Sequence, residues 1–417
     1  MRDHVTGALC WWDFVAATFR APLDGAVMLE NFRAVFAASL GLDASSVTLF
    51  GSGRSALHAL TAGLDLPPDA EVLLPGYTCV VVPNVFLHLG LPVRYVDIAP
   101  NRWNPDAVSI AQAISSRTAL VVLPHNFGLC MDGIERLRER FPAVVFVEDA
   151  AHAWGSRDAV GRMAGTRAQA AFFSFEYSKP FTTGIGGALV LNDAALRERL
   201  AARLPALHAP SRSQVLRQVL TLAWHRLGQT APGAVMRGLT ALLKLPARAT
   251  GVVARTPDSE LSGASAPDYA VGLRPWSAAL GLRQLRRAEA VWAARRRQAA
   301  AYDALLAGAP GWTLPVHGEG EVLLRYPVRI GDPAQRAAVM RGLKALDIVP
   351  GVWFDDVVHP AGCLRYGYET GTCPEGEAAA RAVLNLPLGL HAGLTPRQLQ
   401  GLQALAHGSP GQPGRSA

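Results

Sequence analysis

Short apolar, β-branched runs punctuate the first half of the chain. They are VTLFGSG from Val47, EVLLPGY from Glu71, VRYVDI from Val93, ALVVLPHNFG from Ala119, VVFVEDAA from Val144, AFFSFEY from Ala171 and GALVLN from Gly187. Between several of them lie stretches with helical periodicity, such as RSALHALTAGL (54–64) and GIERLRERF (133–141). Strands that read as continuous apolar runs, alternating with helices, predict an α/β fold: a seven-stranded, mainly parallel sheet with helices on both faces. From Pro275 a long arginine-rich helix is expected over WSAALGLRQLRRAEAVWAARRRQAAAYDALLAG. It leads into a second α/β unit with a strand in VLLRYPVRI and a closing helix from Thr395. The expected organisation is therefore a large domain over 1–200, with the residues before Glu30 as a leading arm. A helical insert over 201–270 follows, then the connecting helix and small C-terminal domain over 271–406, and a disordered tail over 407–417.

Composition narrows the class. Of 417 residues half are hydrophobic and 18% charged, as in a globular protein. The five cysteines are scattered, odd in number and without a CxxC pair, which fits a reducing cytosol better than a disulfide framework or a zinc site. The first residues lack a signal-peptide core and cleavage site, and no run of 18 uncharged apolar residues occurs, so a cytoplasmic protein is expected. The formal charge of +7 is concentrated. Between Arg199 and Pro257 there are nine basic residues and no acidic one, which leaves −2 for the remainder. That distribution does not describe a nucleic-acid-binding surface. Within this segment Val215, Leu216, Val219, Leu220, Ala223, Trp224 and Leu227 recur at helical spacing. Val235, Met236, Leu239, Leu242, Leu243 and Leu245 follow a break at Pro232-Gly233. The pattern fits a helical hairpin packed on the protein. It also fits a basic amphipathic element, 211–246, in peripheral contact with an anionic inner-membrane surface.

The chemistry is sharpest at Lys179. It is one of three lysines, while the other 37 basic residues are arginine. A desolvated lysine amine can act as a nucleophile near neutral pH, whereas arginine stays protonated. GSGRSAL (51–57) follows a strand and opens a helix, which suits a phosphate on its amides. Asp149 closes an apolar run, either as a helix cap or as a partner for a protonated ring nitrogen, and His152 is placed to reach the same ring. Ser174 lies five residues before Lys179. Gly184, Gly186 and Gly187 after it permit positive φ and close backbone approach.

Together these residues resemble the DegT/StrS family of pyridoxal-phosphate-dependent sugar aminotransferases, which have the type I aminotransferase fold. The resemblance is carried, in order, by LENFRAVFAASLG, GSGRSAL, LLPGYTCVVVPNVFLHLG, VRYVDI, LPHNFG, EDAAHAWG, SFEYSKPFTTGIGG and EAAARAVLNLPLGLHAGLT. It implies that Lys179 forms the covalent imine with pyridoxal phosphate and serves as acid and base. Asp149 would hold the pyridinium nitrogen and His152 would sit beside the ring hydroxyl. Ser174, Ser55 and the Gly53–Arg54 turn would bind the phosphate. It further implies a homodimer that transfers an amino group, with glutamate as amino-acid donor, to a nucleotide- or lipid-linked keto-sugar substrate for amino-sugar biosynthesis. His125, Asp355 and His359 are candidate substrate contacts. In VWFDDVVHP, Asp355, Asp356 and His359 admit a metal-ligand reading, but a polar active-site loop is preferred and no metal is expected.

Three departures from the family pattern stand out. Cys79 replaces the aromatic that stacks on the ring. Arg54 replaces the Thr of the phosphate turn, either as a new phosphate contact or as a surface arginine. YAVGLRPWS lacks the Asn that reaches the neighbouring subunit. Two alternatives stay open here: a different pyridoxal-phosphate enzyme such as a lyase or dehydratase, or a non-catalytic sensor or scaffold. Family dehydratases carry histidine at the lysine position, and Lys179 argues against that option.

Overall fold

A computed structural model of the chain describes residues 8–20, 25–230, 258–264 and 266–408. All seven apolar runs form one sheet: β1 (Val47–Phe50), β2 (Glu71–Pro75), β4 (Val93–Val96), β5 (Thr118–Pro124), β6 (Val145–Asp149), β7 (Ala170–Ser174) and β8 (Gly187–Leu191). A two-residue strand, β3 (Thr78–Cys79), lies outside it. The order is β1-β8-β7-β6-β5-β2-β4. β8 is antiparallel to both β1 and β7, and the remaining pairs are parallel. The runs are apolar throughout because successive side chains enter different cores. Val72 and Leu74 face one cluster while Leu73 faces another. Phe172 and Leu189 join the first cluster, whereas their neighbours Phe173 and Ala188 join a third beneath the helices on the opposite face.

A smaller antiparallel sheet holds β9 (Trp312–Thr313), β10 (Arg325–Ile330) and β12 (Val383–Pro387), in the order β12-β10-β9. The helices Ala288–Leu306, Pro333–Ala345 and Pro396–His407 cover it through Tyr302, Leu306, Val339, Leu343, Leu402 and Ala406. The closing helix starts where the sequence places it, with Thr395 and Gln398 forming a capping box. β11 (Val358–His359) pairs in parallel with β3 and ties the two sheets together. The amides of Thr78 and Val80 donate to the carbonyls of Val357 and His359, both at 2.8 Å.

The long helix expected from Pro275 is instead two, Pro275–Leu285 and Ala288–Leu306. The break falls at Arg286–Arg287, where the Arg287 guanidinium turns to the N-terminal arm. It donates to Asp13 at 2.6 and 3.0 Å and to the Ala8 carbonyl at 2.9 Å. Of the basic segment, the helix Arg212–Thr230 is described, with Leu222 fully buried and Leu216 exposed. The second apolar group, Val235–Leu245, lies outside the described residues, as does most of the expected tail. No helix among the described residues is long and apolar enough to cross a membrane.

Candidate active site

The site forms beyond the carboxyl ends of β6 and β7, where a parallel sheet opens toward a ligand. Asp149 is the last residue of β6, and Lys179 follows β7 in a loop whose amide donates to the Glu176 carbonyl at 3.0 Å. That loop depends on glycine. Gly184 and Gly186 have φ of +87° and +147°. A Cβ on Gly187 would meet Gly53 N and Ser52 C at 2.4 Å, and one on Gly53 would meet the Phe173 carbonyl at 3.0 Å. Only glycine at these places lets the turn before the helix Gly53–Leu64 settle onto the end of β7, beside Ser174.

Ser52 caps that helix. Its Oγ accepts from the Ser55 amide at 3.1 Å and lies 2.8 Å from Ser55 Oγ. The first-turn amides of Gly53 and Arg54 have no acceptor inside the helix, which is the arrangement that receives an anion. Arg54 has a partner within the chain. Its guanidinium is paired with Glu260, a carboxylate buried at 4% exposure in the short helix Asp258–Leu261. Burial raises the pKa of Glu260, opposed by the charge of Arg54.

Lys179 is half-buried, and burial pulls its amine below the ordinary lysine value. Glu176, Cys79 and Asp149 oppose that shift, whereas the charge of Arg325 reinforces it. Asp149 is also half-buried, and one of its oxygens accepts from the Ala151 amide at 3.0 Å. Burial nevertheless pushes its carboxyl above the ordinary range, against that amide and the charge of Lys179. A cation placed against the carboxylate would favour its charged form.

His152 is buried, and its Nδ1 accepts from the Phe127 amide at 3.2 Å. Burial, then the charges of Lys179, Arg325 and His359, hold its pKa well below the ordinary value. The imidazole is therefore neutral, with its proton on Nε2, and can donate from that atom.

Two residues that the sequence reading did not select complete the site. Trp353 lies parallel to His152, with centroids 6.0 Å apart at 12°, and its ring centroid is 5.3 Å from Lys179 Nζ. Arg325, the first residue of β10, is buried and stacks its guanidinium over the same indole at 3.4 Å. The signal for Arg325 was a charged residue inside the apolar run VLLRYPVRI, muted in a chain so rich in arginine. Trp353 carried no comparable signal.

The remaining candidates fall on either side of this centre. Cys79 stands in β3 next to His359 of β11, and burial raises its thiol pKa. His359 Nδ1 lies 2.7 Å from Asp355, which also accepts from the Ala361 amide, so these two residues hold the loop as well as lining it. Asp356 accepts from its neighbour, the Val357 amide, at 2.7 Å. Among the described residues no three His, Cys, Asp or Glu side chains are grouped to hold a metal ion. His125 is a correction. It is 1% exposed, with Nδ1 accepting from the Met131 amide at 3.0 Å and Nε2 donating to Glu148 at 2.8 Å. Both nitrogens are taken, so the ring supports the backbone under Asp149 and leaves no atom for a substrate.

The chain is similar to known proteins over most of its length. The model of the DegT/DnrJ/EryC1/StrS aminotransferase family matches residues 25–230 and 248–402. The chain is 30% identical over 368 residues to dTDP-4-dehydro-2,3,6-trideoxy-D-glucose 4-aminotransferase of Saccharopolyspora spinosa, covering 86% of this chain and 83% of the relative. It is 27% identical over 370 residues to the spore coat polysaccharide biosynthesis protein SpsC of Bacillus subtilis, covering 86% and 84%. Its fold matches the crystal structure of the aminotransferase TlmJ from Streptoalloteichus hindustanus with a TM-score of 0.72 at 24% identity, over 98% of both chains.

Proposed function

Because this chain belongs to the DegT/DnrJ/EryC1/StrS aminotransferase family, we propose that it binds pyridoxal phosphate at Lys179 and moves an amino group from glutamate to a keto sugar. The observation that supports this reading is the convergence, at one end of the sheet, of Lys179 after β7, Asp149 at the end of β6, and His152, which shares the Trp353 ring with the Lys179 amine. Pyridoxal phosphate, when bound, supplies the electron sink that makes amino transfer between carbon atoms possible. The residues present fit it. Asp149 offers a carboxylate to a protonated ring nitrogen, and His152 offers an Nε2–H donor. Ser55, Ser174 and the amides of Gly53 and Arg54 offer a phosphate cradle in which Arg54 is already neutralised by Glu260.

Lys179 Nζ, lowered in pKa, takes the proton from the donor's Cα and returns it two atoms along, completing a 1,3-shift. Trp353 excludes water from the amine's flank. Arg325, fixed by stacking on Trp353, receives the carboxylate of the donor amino acid. The acceptor is a keto sugar on a nucleotide or lipid carrier, and the enzyme works as a homodimer, as the family resemblance implies.

The test of the reading is the absorbance of purified protein titrated with pyridoxal phosphate. A visible-edge band should form and bleach when glutamate is added. A protein that neither develops the band nor responds to glutamate is not an aminotransferase of this kind. The role of Arg325 has its own measure. Arg325→Gln should keep the band but raise the KM for glutamate roughly tenfold to a hundredfold, the weight of a charge-assisted contact. An unchanged KM would remove Arg325 from donor binding.

A further inference from the structure

The helix Trp11–Arg20 is apolar on two opposite sides. Phe14 and Ala17 face inward, in a cluster with Leu9, Leu222, Ala279 and Leu280. Its one acidic residue, Asp13, is turned inward too: it is fully buried and bonded to Arg283 at 3.0 Å and to Arg287. The outward side carries Trp11, Trp12, Val15 and Phe19, with exposures of 42%, 73%, 42% and 74%. A helix on the surface of a water-soluble protein ordinarily turns its charge outward and its apolar stripe inward; here the acid is inside and the aromatics are outside.

The neighbouring helix, Arg212–Thr230, joins the same cluster through Leu222, Val219 and Ala223. It leaves Leu216 and Leu220 at 58% and 45% exposure, alongside exposed Arg212 and Arg217. It also touches the catalytic loop. His225 stacks on Tyr177, two residues from Lys179, with centroids 5.6 Å apart at 10°. A Cβ on Gly184 of that loop would meet Leu222 and Gln218 at 3.2 and 3.3 Å.

We propose that the exposed faces of these two helices form one docking surface for an anionic membrane, which brings the catalytic loop to an acceptor held at the lipid surface. Tryptophan and phenylalanine settle at headgroup depth, and cationic residues beside them are drawn to anionic lipid. Exposed Arg212 and Arg217, beside Leu216 and Leu220 and with no acidic residue on that helix, complement such a surface. They do not complement a second copy of the chain, whose matching face would set arginine against arginine. The clause about the acceptor rests on the amino-transfer reading; the docking does not.

The experiment is flotation of the full-length protein with vesicles of phosphatidylcholine alone or mixed with phosphatidylglycerol, at low and high salt. Binding is expected to the anionic vesicles at low salt, with release at high salt. Trp12→Glu with Phe19→Glu should abolish it, and neutralising Arg212 or Arg217 to Gln should weaken it about fivefold each. Equal recovery with neutral and anionic vesicles would overturn the proposal, as would full binding by the Trp12→Glu, Phe19→Glu variant. Conversion of that variant from dimer to monomer on sedimentation would also overturn it, since a second copy would then cover the face. Amino transfer measured on a soluble acceptor separates the two questions. Vesicle binding without transfer counts against the catalytic reading alone, and transfer without vesicle binding counts against docking alone.

Discussion

Lys179→Arg is expected to lose amino transfer by at least about a thousandfold while the protein remains folded. The substitution keeps a cation near the face of Trp353, where Lys179 Nζ lies 5.3 Å from the ring centroid, so it does not leave an unpaired hole in the site. It removes an amine that can be neutral. Arginine has no accessible neutral form, so neither covalent capture nor proton transfer at this position survives. Glutamate-dependent transfer and the visible-edge band should vanish together, and the thermal midpoint should stay close to that of the parent because the side chain is half-buried. Turnover at the parental rate in Lys179→Arg would end the mechanism.

The next largest effect is expected at Asp149→Asn. The present carboxylate accepts one hydrogen bond, from the Ala151 amide at 3.0 Å, and the oxygen of asparagine can accept the same bond. A role in shaping the turn after β6 is thereby preserved, and little stability should be lost. What disappears is negative charge at a position where burial makes charge costly to keep. If that charge holds a protonated ring nitrogen, its loss should slow the half-reaction with glutamate by about a hundredfold or more, near 3 kcal/mol of barrier. Stopped-flow bleaching of the band measures this directly. A parental half-reaction rate would reduce Asp149 to a residue that shapes the turn.

Both residues were visible in the sequence for the same physical reason. In a sheet buried on both faces, a charge at the end of an apolar run has no solvation to explain it, and Asp149 and the loop bearing Lys179 sit at such ends. The seven strands were legible on the same grounds. Other parts depend on chain segments that meet only in space. Arg54 finds Glu260 across 206 positions, beyond the basic segment, and nothing periodic links them. His125 and Glu148 become partners because β5 and β6 pair with Pro124 opposite Asp149, a register that no local pattern states. The break at Arg287 is likewise set from outside, by a carboxylate in the N-terminal arm, so helical propensity over the surrounding residues pointed to one continuous helix. Trp353 reaches the amine of Lys179 from the loop between the helix Pro333–Ala345 and β11.

The loop carrying Trp353 has consequences for anyone building chimaeras from this chain. On one side the Trp353 amide donates to Asn385 of β12 at 2.9 Å, and its carbonyl accepts from the Asn385 side chain at 3.1 Å. On the other, Phe354 exchanges two hydrogen bonds with Tyr77, and β11 is laced to β3. The natural seam for transplanting a small unit from a relative therefore does not run along the connecting helices. A recombination point placed there would import a foreign loop whose anchor residues must match Tyr77 and Thr78 of the recipient. Grafts that carry Tyr77, Asn385 and 351–359 as one inherited block keep the wall of the site intact, whichever partner supplies the rest.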